Sequence, residues 1–324
     1  MYNYQKNNRY FASVADDIKD LAEQELITLG AQAITQGYKG VYFTADKETL
    51  YTINLYTRLI NRIIAPLLTF KAYTEGELYK NAYKIEWEKL FSNKETFAIF
   101  ASVNNSSITH SKFASLKLKD AIVDRFRNLY GIRPDVETKN PDVWFNLHIE
   151  ENMATISLDT SGGSLHRRGY RKEAVEAPMV ETLAASILKL SEWDAETPLY
   201  DPMCGSGTLL CEAYLIATNT PPAFNRKHFG FERLPDFDNA VWQKVKKESI
   251  KNIKPLKPGL ISGSDVSRDS VRATLRNLDA ISTNHRIQIK QMNMFDIKSL
   301  ENKIIVTNPP YGIRLKSNVD LSDF

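Results

Sequence analysis

The sequence predicts a protein of mixed α/β class, with two α+β units in its front half and a parallel-sheet α/β unit behind them. Three observations support this prediction. The chain has 324 residues, about twice the ~150 residues typical of one domain. Short apolar strands and helices alternate through residues 1–160. After Glu173 the order becomes long helix, short apolar strand, glycine-rich turn and helix, which indicates a parallel sheet covered by helices.

Residues 1–70 contain six predicted elements in the order β-α-β-β-α-β. The strands are predicted at Arg9–Val14, Ala31–Gln36, Gly40–Thr44 and Ile63–Phe70, and the helices at Asp16–Leu29 and Asp46–Leu59. Asp16 or Asp17 is a suitable N-cap for the first helix, and Gly30 ends it. This order is that of the ferredoxin-like split βαβ fold.

Residues 71–160 form a second predicted α+β unit. A helix at Glu75–Leu90 leads to a strand at Phe97–Val103, and a long amphipathic helix at Lys112–Tyr130 follows. Alternating runs at Val143–Ile149 and Ala154–Leu158 close the unit as a hairpin. No catalytic constellation is visible in it.

Residues 173–324 form the predicted parallel-sheet unit. Its strands begin near Leu199, Leu260, Arg286 and Lys303, and helices follow the first two strands. Ligands of such sheets bind at the carboxyl ends of the strands. The preceding segment 161–172 begins Ser-Gly-Gly and is the predicted linker.

Composition excludes several classes of protein. The polar start MYNYQKNNRY has no apolar signal region, and the apolar runs are far shorter than the ~20 residues of a membrane span. The two cysteines, Cys204 and Cys211, allow neither a disulfide framework nor a cysteine zinc cluster, and the five histidines have no metal-ligand spacing. We therefore expect a cytoplasmic protein without a metal or a membrane partner.

The excess positive charge lies in the linker. Its end, HRRGYRK, carries Arg167, Arg168, Arg171 and Lys172 without an acid, and such a cluster favours a polyanionic partner. We predict that these four side chains contact RNA phosphates. A second basic run, Lys244–Lys257, has six lysines and one glutamate, and a solvated helix face explains it equally.

The segment DPMCGSGT, Asp201–Thr208, follows an apolar strand and opens a helix. Gly205 and Gly207 allow a tight turn and close approach of a ligand to the helix N-terminus. A P-loop would need a lysine before Thr208, and a dinucleotide fingerprint would need a glycine at Leu210. The acid before the loop instead suits a cationic or neutral ligand, such as the amino-acid part of S-adenosylmethionine (SAM).

Two further acids follow the next strands. Asp265 is placed to accept hydrogen bonds from ribose hydroxyls, and Asp296 from an adenine amino group. Each of them alone is more often a helix cap than a ligand. Their repetition at successive strand ends favours a nucleotide site.

The most specific motif is NPPY, Asn308–Tyr311, after the apolar strand Ile304–Val306. Pro309 and Pro310 stiffen the loop, so the Asn308 side-chain oxygen and the Pro309 carbonyl can accept both hydrogens of a planar exocyclic amine. Tyr311 offers a ring for an unstacked base. The motif predicts methyl transfer to an amine by positioning and electrostatics.

Together, these motifs resemble the signature of SAM-dependent amino methyltransferases. The segments SLHRRGYRKEAVEAPMVETLAASIL and FGFERLPDFDNAVW resemble those of the THUMP-domain RNA guanine-N2 methyltransferases, especially the type that acts on 23S rRNA. The resemblance implies a ferredoxin-like domain at 1–70, an RNA-binding THUMP domain at 71–160 and a Rossmann-like class I methyltransferase domain at 173–324.

The resemblance also assigns roles to residues. The methionine end of SAM would lie on the loop from Asp201 to Thr208, with Pro202, Gly205 and Gly207. Asp265 would hold the ribose and Asp296 the adenine. The cofactor-side residue Asn308, with Pro309, Pro310 and Tyr311, would position the guanine N2 amine.

The family sheet has seven strands, whereas this sequence ends 12 residues after Gly312. We therefore expect a sheet that is incomplete after the NPPY strand. Three alternatives stay open: guanine-N2 transfer to tRNA, adenine-N6 transfer to DNA, and RNA binding without catalysis.

Overall fold

The structure is a computed structural model that describes residues 1–173 and 178–309. The chain divides into two compact units. The first comprises Met1–Arg167 and Pro221–Lys251, and the second comprises Arg168–Thr220 and the chain from Asn252 onward. The segment Pro221–Lys251 therefore packs with the front half, whereas the sequence suggested a continuous unit from residue 173.

Eleven strands and nine α-helices lie in the described part of the chain. The strands are β1 (Arg9–Ser13), β2 (Gln32–Gly37), β3 (Gly40–Thr44), β4 (Arg62–Lys71), β5 (Phe97–Asn104), β6 (Val143–Glu150), β7 (Met153–Asp159), β8 (Leu199–Asp201), β9 (Ile261–Asp265), β10 (Gln288–Gln291) and β11 (Ile304–Ile305). The helices are α1 (Asn3–Asn7), α2 (Lys19–Thr28), α3 (Lys47–Tyr56), α4 (Glu75–Tyr83), α5 (Ser111–Tyr130), α6 (Glu181–Leu190), α7 (Thr208–Ala217), α8 (Asn239–Lys251) and α9 (Arg268–Asp279).

The predicted ferredoxin-like order is confirmed in β1 to β4. These strands lie antiparallel in the order β2-β3-β1-β4, with α2 and α3 between them in sequence. The second helix starts where Asp46 accepts a 2.8 Å hydrogen bond from the Thr49 N–H, as expected of an N-cap. The short helix α1 was not predicted from the sequence.

Strands β5 to β7 extend the same sheet rather than forming a separate one. Strand β7 pairs antiparallel with β4, which gives the order β2-β3-β1-β4-β7-β6-β5. The helix predicted at Glu75–Leu90 ends at Tyr83, and a 3₁₀ turn follows at Trp87–Lys89. The Trp87 indole is fully buried and donates to the Ala82 carbonyl at 3.0 Å, so the chain turns inward there instead of continuing as a helix.

The two faces of the seven-stranded sheet differ in character. One face carries buried apolar side chains and packs against the helices. Side chains on the opposite face alternate with these and are mostly half-buried or exposed. Alternation of this kind is typical of an antiparallel sheet with one face on the core.

The second unit contains a parallel sheet in the order β10-β9-β8-β11. The predicted α/β class is thus confirmed: an α+β front half precedes a parallel sheet flanked by helices. The first and last of its strands in the sequence, β8 and β11, are neighbours in the sheet. In open α/β sheets a ligand crevice forms where the strand order reverses, and here that point is the boundary between β8 and β11.

Candidate active site

The glycine loop after β8 requires glycine at two positions. Gly205 and Gly207 have φ angles of +56° and +78°, in the left-handed region that a Cβ disfavours. A Cβ at Gly207 would lie 2.7 Å from Thr274 Cγ2 of α9. The loop therefore passes against α9, and α7 begins directly after it at Thr208 with unpaired N–H groups in its first turn.

Asp265, at the end of β9, is bonded to this loop. Its carboxylate accepts hydrogen bonds from the Gly205 N–H at 2.8 Å and from the Ser267 N–H at 2.9 Å. Each carboxylate oxygen can accept about two hydrogen bonds. One acceptor position on each oxygen therefore remains for a hydroxyl donor such as a ribose.

Asp201 ends β8 and is almost fully buried, at 1% exposed. Its Oδ1 accepts from the Met203 N–H at 3.1 Å and from Thr307 Oγ1 at 2.7 Å. Burial raises the pKa of Asp201 to about 7, the nearby Asp265 adds to this, and the two hydrogen bonds oppose it. A buried carboxylate with such a pKa gains from a cationic ligand, because the cation stabilises its ionised form.

The hydrogen bond from Thr307 brings the NPPY segment to the glycine loop. Asn308 follows directly and is half-buried, and Pro309 is exposed. Pro310 and Tyr311 lie outside the described residues. Two motifs that are distant in the sequence thus meet at the carboxyl ends of the neighbouring strands β8 and β11.

Asp296 is placed less closely. It is exposed in the 3₁₀ turn Met294–Asp296, after β10. Just before that turn, the Met292 N–H donates to the Asp265 carbonyl at 3.0 Å. Among the described residues, no hydrogen bond joins the Asp296 carboxylate to the other predicted cofactor residues.

The basic linker segment splits into two groups. Arg167 and Lys172 are exposed. Arg168 is not: its side chain is fully buried and its Nε lies 3.5 Å from Glu212 of α7. A buried guanidinium has no surface for a phosphate, so the prediction of an RNA contact for Arg168 is wrong.

Arg171 supports the glycine loop from within the chain. It donates to Glu181 at 3.0 Å, to the Met179 carbonyl at 2.8 Å and to Thr208 Oγ1 at 3.2 Å. These partners occupy most of its guanidinium, which is one-fifth exposed. Its predicted phosphate contact therefore competes with a role in holding the start of α7.

Sequence reasoning missed two residues that shape this site. Asn277 of α9 donates to the Ser206 carbonyl at 2.9 Å and accepts from the Lys172 N–H at 2.7 Å. Thr274 donates to the Gly205 carbonyl at 2.9 Å. Both are buried polar residues on a helix face shared with Ala273 and Leu278, and polar residues in register with buried apolar ones are the signal that would have identified them.

The donor and acceptor set fits SAM. The α7 N-terminus offers N–H donors, Asp201 offers a buried carboxylate for an ammonium group, and Asp265 offers acceptors for hydroxyls. Within the described residues, no group of three or more His, Cys, Asp or Glu side chains is arranged to hold a metal ion. No helix there is long and apolar enough to cross a membrane.

Three family models match the chain in succession. The RlmL ferredoxin-like domain matches residues 9–64, the THUMP domain matches residues 72–159, and the RMKL-like methyltransferase domain matches residues 168–324.

Similar proteins span nearly the whole chain. A Synechocystis sp. protein named as a putative RNA methyltransferase is 38% identical over 316 residues, which are 97% of this chain and 82% of that protein. The crystal structure of SMU.472, solved in complex with SAH, is 29% identical, has a TM-score of 0.81, and aligns with 98% of this chain and 83% of its own.

A structure from Listeria monocytogenes, described as a predicted N6-adenine-specific DNA methylase, also has a TM-score of 0.81. It is 28% identical and aligns over 96% of this chain and 82% of its own. Identity to the Synechocystis protein over nearly the full chain and the three domain matches agree. The chain therefore belongs to the family of RNA methyltransferases that combine an RlmL ferredoxin-like domain, a THUMP domain and an RMKL-like methyltransferase domain.

Proposed function

We propose that this protein transfers a methyl group from SAM to the exocyclic N2 amine of a guanine in 23S rRNA, in the cytoplasm. The observation that carries the proposal is the hydrogen bond between Thr307 and Asp201. It joins the strand that leads into the glycine loop to the strand that leads into NPPY. A cofactor on the first loop and an amine on the second would then be neighbours.

The cofactor side of the site consists of Asp201, Pro202, Gly205, Gly207 and Thr208. In the proposal these residues hold the methionine end of SAM, with Asp201 accepting from its ammonium group. Asp265 accepts from the ribose hydroxyls, and Asp296 accepts from the adenine amino group at the exposed rim. When bound, SAM supplies an electrophilic methyl group on a positively charged sulfonium.

The amine side of the site consists of Asn308, Pro309, Pro310 and Tyr311. The Asn308 side-chain oxygen and the Pro309 carbonyl accept the two amine hydrogens. The amine lone pair is then less conjugated with the base and more available for attack. The prolines fix the loop so that these acceptors are preorganised, and Tyr311 stacks on the base.

RNA recognition belongs to the THUMP-containing front half and to the exposed linker residues. Arg167 and Lys172 contact phosphates, and Arg171 contributes where its internal partners allow. These contacts position the RNA and do not select a sequence.

A second candidate is N6 methylation of adenine in DNA. The solved Listeria relative described as an N6-adenine-specific DNA methylase favours it. The acceptors on Asn308 and Pro309 suit an exocyclic amine on either purine. The THUMP domain and the relation to a Synechocystis RNA methyltransferase favour RNA.

The test is methyl transfer from tritiated SAM to unmodified 23S rRNA, tRNA and DNA, followed by nucleoside analysis of the product. We expect N2-methylguanosine from 23S rRNA. Asn308→Ala should abolish transfer and leave RNA binding intact, whereas the exposed control Asn284→Ala should retain transfer. N6-methyladenine from DNA, or RNA binding without any transfer, would contradict the proposal.

A further inference from the structure

One face of the seven-stranded sheet, opposite its buried apolar face, carries aromatic, basic and polar side chains. We call it the open face and define it by residues that strand pairing places on one side. Directly paired residues share a face, and Phe11 pairs with both Tyr42 and Ile64. The open face includes Arg9, Phe11, Tyr42, Arg62, Phe100 and Trp144.

Two aromatic rings lie across glycines at one end of this face. A Cβ at Gly40 would lie 2.3 Å from Phe11 Cζ, and a Cβ at Gly37 would lie 2.7 Å from Tyr42 Cε2. The rings therefore rest on the bare backbone of β2 and β3, half-buried, rather than projecting from the sheet. Rings held in this way are rigid platforms.

A guanidinium lies over the Tyr42 ring. Arg9 is centred 4.8 Å from the ring centroid and donates to Thr35 Oγ1 at 3.3 Å. Arg9 is exposed, and no acidic side chain forms an ion pair with it among the described residues. Its positive charge is therefore available to an anion.

A second stack lies at the other end of the face. The Arg62 guanidinium is 4.4 Å from the Phe100 ring centroid and 4.8 Å from that of Trp144. Arg62 also pairs with the fully buried Asp159. This ion pair holds the guanidinium against both rings.

Two polar atoms on this face have no hydrogen-bond partner within the described residues. Asn146 and Ser157 are paired across β6 and β7, and they are 6% and 0% exposed. Asn146 Oδ1 and Ser157 Oγ are buried, and neither forms a hydrogen bond within the described part of the chain. Both atoms are enclosed, so the accessible part of the face consists of the two stacks.

We propose that the open face binds single-stranded RNA by stacking unpaired bases on its aromatic rings and guanidinium planes. Aromatic and arginine planes on a sheet are the means by which proteins hold unpaired bases. Arg9 and Lys71 would contact the backbone phosphates. Glu150 is a further acid on this face, and it forms no ion pair with Arg62 among the described residues. Duplex RNA keeps its bases stacked inside and cannot use such a surface.

This inference rests on the proposed function, because it assigns the RNA partner to a surface of the front half. The probe is a fluorescently labelled 12-nucleotide oligouridine, compared with a 12-base-pair RNA duplex, and the protein is the full chain. Trp144 supplies a second signal. The other three tryptophans, Trp87, Trp193 and Trp242, are buried, so stacking on Trp144 should quench the intrinsic fluorescence.

We expect oligouridine to bind more tightly than the duplex and to quench the tryptophan emission. Trp144→Leu and Tyr42→Leu should each weaken binding about 5- to 150-fold, the range of base–aromatic stacking, and Trp144→Leu should remove the quenching. Arg9→Gln should weaken binding and reduce its salt dependence. The exposed helical controls Phe113→Leu and Lys112→Gln should have no effect.

The outcomes separate this inference from the proposed function. Unchanged oligouridine binding by Trp144→Leu and Tyr42→Leu, in a protein that methylates 23S rRNA, would overturn the inference alone. Equal or tighter binding of the duplex would also overturn it. Loss of methyl transfer to every nucleic acid by the unaltered chain would instead count against the proposed function.

Discussion

Thr307 Oγ1 donates a 2.7 Å hydrogen bond to Oδ1 of Asp201 across 106 residues of sequence. The bond connects the ends of two neighbouring parallel strands, β8 and β11. The glycine loop follows one strand and Asn308 follows the other. Together with the pairing of β8 and β11, this contact holds the cofactor side and the amine side of the proposed site in one crevice.

Loss of this bond should destabilise the second unit. Thr307→Val keeps the shape of the side chain but leaves a buried carboxylate short of one donor, and hydrogen bonds to charged groups contribute about 1.5–3 kcal/mol. We expect a loss of that order in the free energy of unfolding, measured by urea denaturation at pH 8. Thr307→Ser retains the hydroxyl and should stay close to the wild-type value. Equal losses of stability in both variants would show that the hydrogen bond does not stabilise the second unit.

The buried Asp201 should make stability depend on pH. Its pKa is raised from 3.8 to about 7 on folding, so the folded state retains a proton that the unfolded state has released between these values. The contribution of Asp201 to stability is therefore full below about pH 4 and is lost as the pH rises through about 7. With 1.36 kcal/mol per pKa unit, the loss approaches ~4 kcal/mol.

Asp201→Asn should remove this component. The difference in unfolding free energy between the variant and the wild type should grow in favour of the variant from pH 5 to pH 8. The comparison cancels the other titrating groups. A difference independent of pH would mean that Asp201 is ionised throughout the range.

The glycine loop allows steric and conformational costs to be separated. Gly207 and Gly259 have nearly equal φ angles, +78° and +76°, but a Cβ at Gly259 meets nothing within 4 Å. Gly259→Ala should therefore cost only the backbone strain of about 1–2 kcal/mol and leave SAM binding unchanged. Gly207→Ala adds a clash with Thr274 and should abolish SAM binding. Calorimetric titration of both variants with SAM is the measurement, and equal affinities would contradict the loop assignment.

The basic linker makes a two-part prediction. Neutralising Arg167 and Lys172 with glutamine should weaken RNA binding and lower the slope of log affinity against log salt by about one per lost phosphate contact. Arg168→Met should act differently, because removing one partner of a buried ion pair costs ~3–5 kcal/mol of stability. Filter binding over a salt series and urea denaturation distinguish the two. A salt slope unchanged in the Arg167 and Lys172 variant would leave them as solvated linker residues.

Much of the architecture followed from local patterns. Short stretches of sequence were enough to predict the glycine loop, the strand ends at Asp201 and Asp265, and the ferredoxin-like order of elements. The predicted phosphate contact of Arg168 is wrong because the pattern of charges in a sequence does not show which side chains are buried. The partner of Arg168, Glu212, is the one charged residue of α7, and only the tertiary structure brings the two together.

Long-range pairing was also invisible in the sequence. The pairing of β4 with β7 joins the two α+β units predicted for residues 1–160 into one sheet. No local sequence signal specifies which edge strand another edge strand pairs with. The packing of Pro221–Lys251 with the front half has the same cause. Thr307 could not be predicted as a site residue, because its role comes from a hydrogen bond to Asp201 on another strand.

The most direct test of the account is calorimetric titration of this chain with SAM, repeated with Asp265→Ala and with the exposed control Asp269→Ala. We predict saturable binding at one site, weakened at least about tenfold by Asp265→Ala, as expected when a charge-assisted hydrogen bond of ~1.5–3 kcal/mol is lost. Asp269→Ala should bind like the wild type. Absence of binding by folded protein, or equal affinity in all three proteins, would contradict the placement of the cofactor at the ends of β8 and β9.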